Sequence, residues 1–124
     1  MRLCPFGGYA ALSGDEVRSF APARALALEG AAVLFVIHPP ESVALLRARA
    51  VENRVVLAAA GAESACVIGP DGTVLAQSAA GGGEPVSATV DLPSVRNKVV
   101  FAGTDIFGQR KPHAYAAAFG EPAV

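Results

Sequence analysis

The sequence predicts an α/β (α+β) layer, one sheet with helices packed on it, and three features carry the prediction. Short runs of β-branched and small apolar residues alternate with helix-forming stretches, and Gly and Pro punctuate the joins. Ala32-Val33-Leu34-Phe35-Val36-Ile37 is apolar at every position, as expected of a central strand covered on both faces. Pro70-Asp71-Gly72 is turn chemistry that folds one short strand back onto the next.

Taken in order, Gly8 to Ser13 reads as a first strand of small residues, with Cys4 ahead of it and Pro5, Phe6 and Gly7 as its entry. Pro22 suits the first turn of a helix, Ala23 to Leu28 are strong helix formers, and Gly30 is suited to the left-handed conformation that closes the C-terminus. A helix over Pro22 to Glu29 follows, then the apolar strand. His38-Pro39-Pro40 ends that strand. Glu41 to Asn53 carries Val43, Leu46 and Ala50 at helical spacing with Arg47 and Arg49 turned elsewhere, which makes a second amphipathic helix. Val55 to Ala60 and Ala65 to Gly69 are further strands, and the hairpin returns through Thr73 to Gln77. Ser78 to Glu84, with three consecutive glycines, is expected to be a mobile surface loop before a last strand at Val86 to Val90. From Asp91 the periodicity fades into an irregular arm. With no internal repeat or low-complexity linker, residues 1–124 read as a single domain, a layer over about 1–92 and an arm over 93–124.

A chain of 124 residues is enough for one modest core. It is 52% hydrophobic and only 17% charged, with a mean hydropathy of +0.42, so one core does not hide all its apolar surface and a partner surface is expected. The net charge of −1, with Lys and Arg scattered singly, gives no basic stripe for phosphate and no polybasic patch for lipid. Neither nucleic acid nor a membrane is an expected partner. The longest apolar run, Ala31 to Ile37, is far too short to span a bilayer, and no secretory leader opens the chain, so a cytoplasmic location is expected. Cys4 and Cys66 show neither metal-ligand spacing nor disulfide-scaffold density, and reduced thiols are the default. No Gly-rich phosphate loop follows a strand and no metal-ligand cluster is present, so no cofactor and no metal are expected.

Six segments, in order, resemble the nitrilase or carbon–nitrogen hydrolase superfamily. Ala23 to Ala31 is similar to the helix after the family's nucleophile, and Val33 to Ile37 to the strand that follows it. Leu46-Arg47-Ala48-Arg49-Ala50-Val51-Glu52-Asn53 is similar to the arginine-rich helix ending in Glu-Asn, the most specific of the matches. Val67 to Ala76 resembles the Pro-Asp-Gly hairpin, Ala88 to Leu92 the strand after it, and Gln109 to Tyr115 the closing Arg-Arg-Pro-x-x-Tyr.

The resemblance implies chemistry that needs a cysteine thiolate to attack an amide or nitrile carbon, a glutamate to move protons and a lysine to stabilise the oxyanion. It places glutamate and lysine ahead of the cysteine strand, and the chain begins just before that strand, so neither is expected here. Counting back from Arg24, the family's Cys-x-Asp falls on Ser13-Gly14-Asp15 with one extra residue before the helix, or on Gly14 without it. Neither alternative holds a cysteine.

Three residues are the candidate catalytic set: Ser13 at the nucleophile position, Asp15 beside it, and His38 at the strand edge where α/β folds place ligand sites. Each has a structural reading too. Ser13 lacks a Gly-x-Ser-x-Gly elbow to expose it, Asp15 and Glu16 suit a helix cap, and His38 beside two prolines suits a strand end. Cys4 is read as an inert thiol and Cys66 as a small buried hydrophobe. Arg47, Arg49 and Glu52 suit helix-surface ion pairing, and Arg110, Lys111 and Tyr115 suit holding the tail against a neighbouring element or subunit.

The implied architecture is half of a nitrilase-like αββα sandwich: one mixed sheet, two helices on one face, and the irregular arm. The other face is expected to be apolar and bare. Two functions follow from this. One is a half-domain inactive by itself, a binding or assembly subunit that forms a homodimer or pairs with a complementary nitrilase-like chain. The other is one half of a split amidase or nitrilase, completed by another chain and acting on a small amide or nitrile.

Overall fold

Six strands form one open mixed sheet in the sequence order of the strands: β1 (Arg2–Cys4), β2 (Gly7–Ser13), β3 (Ala31–Ile37), β4 (Val56–Ala60), β5 (Ala65–Ile68) and β6 (Val74–Gln77). The computed structural model describes residues 1–4, 7–62, 64–79, 83–99, 102 and 104–119. The strands β2, β3 and β4 run parallel, and the outer pairs β1–β2, β4–β5 and β5–β6 are antiparallel. Parallel neighbours need crossovers, and helices supply them. Helices α1 (Gly14–Arg18) and α2 (Phe20–Leu28) link β2 to β3, and α3 (Val43–Asn53) links β3 to β4.

The two expected helices are present, as α2 and α3, with ends set by their caps. Ser19 caps α2, the amides of Glu29 and Gly30 bond back to the Ala25 and Ala27 carbonyls, and Gly30 takes the positive φ of 105° foreseen for it. Ser42 caps α3, which trims two residues from the expected start. The additional turn α1 is a capping-box helix: the Ser13 hydroxyl accepts from the Glu16 amide and the Glu16 carboxylate accepts from the Ser13 amide.

All three helices cover one face. Val17, Leu46 and Ala50 pack on Val36, Leu57, Ala59, Cys66 and Ile68, while Ala23 and Ala27 pack on Leu12, Leu34 and Val55. Cys66 is accordingly buried, and burial pushes its thiol pKa up, as suits an inert core residue. The hairpin forms as expected: Gly72 adopts φ 84°, its amide bonds the Gly69 carbonyl at 2.9 Å, and Asp71 Oδ1 accepts the Thr73 amide at 3.0 Å. That backbone hydrogen bond is the main reason the Asp71 carboxyl lies below its usual pKa.

Three expectations need correction. The strand expected at Val86 to Val90 does not form: Val90 packs with Val95 on Ala32, Val33, Val56 and Val67, which lays it on the face of the sheet and not in the ladder. The arm carries two short helices, α4 (Leu92–Arg96) and α5 (Pro112–Phe119), joined by irregular chain. The second sheet face is not wholly bare, since Val90 and Val95 cover the start of β3 and β4 and the end of β5. The rest stays open, with Phe35 42% and Ile37 54% exposed. Cys4 enters β1, an edge strand, and does not merely precede the first strand. The entry at Pro5 and Phe6, the side chain of Cys4, and part of the loop expected to be mobile (80–82) lie outside the described residues.

Candidate functional site

The carboxyl ends of β2 and β3 lie side by side, with Ser13 in register with Ile37, and a concavity of about 580 Å³ opens there. This is where parallel α/β sheets hold ligand sites. Ser13, Asp15 and His38, far apart in sequence, all line it, together with Glu16, Arg18, Pro39 and Pro40.

Their chemistry is restricted. Beyond the strand ladder, both hydrogen bonds of Ser13 go to Glu16: its Oγ accepts from the Glu16 amide at 3.2 Å and its amide donates to Glu16 Oε1 at 3.0 Å. Among the described residues no base is positioned on the hydroxyl, which serves as a helix cap. Asp15 lies 3.8 Å from Arg18 in a solvent-exposed i,i+3 pair, which contributes little. His38 is exposed and takes the left-handed conformation, φ 54°, with its amide bonded to the Ala60 carbonyl at 3.1 Å. Asp15 and His38 share the concavity with Ser13 without bonding to it.

The cap expected of this segment forms through Glu16, in a Ser13-Gly14-Asp15-Glu16 capping box, while Asp15 makes only the exposed pair with Arg18. Gly14 is buried, and a Cβ there would overlap the His38 carbonyl oxygen.

The arginine-rich helix serves the fold. Arg49 donates to the Val17 carbonyl at 2.9 Å and the Arg18 carbonyl at 3.2 Å, closing the C-terminus of α1, and pairs with Glu52 at 2.7 Å. Arg47 donates to the Gly72 carbonyl at 2.7 Å, tying α3 to the hairpin. Arg24 reaches the Glu52 carbonyl at 2.7 Å, and Lys98 reaches those of Asn53 and Arg54 at 3.0 and 2.7 Å. Burial, then the Arg54 charge, lower the Lys98 pKa to about 8. Lys98 and Arg24 both lie 5.4 Å from the Phe107 ring centroid, so the arm is clasped to the middle of α2 and the end of α3. Arg110, Lys111 and Tyr115 are exposed.

Among the described residues no group of three or more His, Cys, Asp or Glu is placed to hold a metal ion, and no helix is long and apolar enough to cross a membrane. A second concavity, about 570 Å³, lies on the open sheet face between Phe35, Ile37, Ala58, Ala60 and Ala65, with Val86 at its wall.

Compared with known proteins, residues 8–98 match the family description of the carbon-nitrogen hydrolases, and the chain belongs to that family. Among solved structures it is similar to an amidase from Nesterenkonia sp. AN1 bearing acrylamide added at its active-site cysteine, at 25% identity and TM-score 0.63 over 90% of this chain and 45% of that one. Another structure of that amidase, with the acetamide moiety of fluoroacetamide on the cysteine, aligns at 27% identity and TM-score 0.54 over 60% of this chain and 35% of that one. Nit3 of Saccharomyces cerevisiae, a nitrilase-superfamily member, shares the fold at 19% identity and TM-score 0.54, over 60% of this chain and 34% of its own. The chain thus spans less than half the length of each. No curated protein matches it significantly.

Proposed function

We propose that this chain is a carbon–nitrogen hydrolase-family domain that is inactive by itself and serves, in the cytoplasm, as an assembly or binding subunit whose open sheet face is covered by a second copy. The observation that carries this reading is the state of Ser13. The related amidase takes up acrylamide at an active-site cysteine. At the strand end that resembles the family's nucleophile position this chain has a serine whose hydroxyl caps α1, followed by a glycine. The exposed Phe35 and Ile37 support the assembly half of the proposal.

The second reading, half of a split amidase or nitrilase completed by a complementary chain, is favoured by one feature: the concavity at Ser13, Asp15 and His38 is open to solvent and roomy enough for a small amide or nitrile. Incubating purified chain with acetamide, propionamide and acetonitrile, and following ammonia release, separates the two. The proposal expects no release above the buffer blank. Hydrolysis by the chain alone, abolished by Ser13→Ala, sinks it; hydrolysis only after a co-purifying chain is added establishes the second reading.

A further inference from the structure

Two positions at the end of β2, Ser13 and Gly14, are the alternatives for the family's nucleophile, and the structure treats them differently. Ser13 is exposed at the mouth of the concavity. Gly14 is buried, and its missing side chain is replaced by backbone from another crossover: a Cβ would overlap the His38 carbonyl oxygen and come within 3.1 Å of the His38 carbonyl carbon. That carbonyl is not free to swing away. His38 holds φ 54°, costly for a residue with a side chain, and its amide is tied to the Ala60 carbonyl at 3.1 Å. On its far side Gly61 leaves room for the same bend, where a Cβ would sit 3.1 Å from Pro39 Cδ. The corner is therefore wedged between two glycines and bonded to β4.

We infer that Gly14 and the left-handed His38 form a positioning pair, in which the His38 carbonyl takes the space of a side chain at 14 and leaves position 13 as the one of the two that can present a group to the concavity. The inference deepens the proposed reading and rests on it in one respect, that this strand end is where the family's nucleophile stands. It adds that a thiol can be carried at 13 and is excluded at 14 by fixed backbone.

The test uses the full chain with thermal unfolding and site-resolved alkylation by iodoacetamide, which also reports Cys4 and Cys66 separately. Ser13→Cys should keep Tm within a few degrees and place a thiol that is alkylated in the folded state, and adding His38→Gly should change that thiol's rate by about threefold or more. Gly14→Cys and Gly14→Ala should each lower Tm by about 10 °C or more. His38→Gly, which lets the carbonyl rotate, should recover at least half of the Gly14→Ala loss. Three results overturn the inference: Gly14→Cys with wild-type Tm and an alkylated thiol, no recovery of Gly14→Ala by His38→Gly, or an alkylation rate at position 13 that ignores His38→Gly. None of these readouts involves hydrolysis, so the inactivity proposal stands or falls separately.

Discussion

Ser13 shows how a side chain at the mouth of a concavity is taken up by the fold. Its hydroxyl meets an amide that α1 would otherwise leave unpaired, and Glu16 reciprocates. Ser13→Ala should therefore cost about 1 kcal/mol in urea unfolding while leaving ammonia release from amides at the blank level. Lys98 adds a pH dependence of its own. Its pKa of about 8 lies below the 10.5 of an exposed lysine, with burial the first cause, Arg54 and Arg24 adding to it and Asp105 opposing. Between those two values the unfolded chain holds more protons than the folded one, so this group makes stability rise with pH from about 8 to 10.5, and its burial penalty is fully present below 8. The urea midpoint of the wild type should climb relative to Lys98→Met between pH 7.5 and 10; a flat difference contradicts the assignment. At this scale the sequence showed Ser13, Asp15 and His38, which share one concavity. Gly14 stayed hidden because the atom that needs its space belongs to His38, a contact that no local pattern encodes.

Among the elements, strands β2 to β6 and helices α2 and α3 were legible because apolar runs, helical spacing and turn residues agree with one another. The β1 strand is three residues long and exists through its pairing with β2, which leaves no periodic trace. Residues 86–90 alternate as a strand should, and their neighbours decided otherwise: Val90 lies on the sheet face against Val67 and Val33. The short α4 and α5 lie below the length at which spacing is informative. The arginine-rich helix was read as structural, and its bonds bear that out. Arg49 holds two terminal carbonyls of α1 and one carboxylate from a half-buried position. Arg49→Met should cost about 1–3 kcal/mol and speed amide exchange in α1 more than in β3 and β4. Equal acceleration in all three elements would show that Arg49 supports the core as a whole rather than α1.

For the whole molecule, high hydropathy with low charge signalled more apolar surface than one core can hide, and the structure divides that surface in two. Val90 and Val95 cover one part of the second sheet face and Phe35 and Ile37 stand open on the other. At about 25 cal/mol per Å², covering a few hundred Å² of such surface yields several kcal/mol, comparable to the whole stability of a small domain. The sequence carries this as composition without position, because the segment that crosses the sheet has the alternation of a strand. The most direct test of the account is sedimentation equilibrium of the purified chain beside Ile37→Glu, a change at a side chain exposed in the single copy. The account predicts twice the 12.5 kDa chain mass for the wild type and the single mass for a folded Ile37→Glu. A wild type that stays at 12.5 kDa across the micromolar range, with no exposed dye-binding surface, contradicts it.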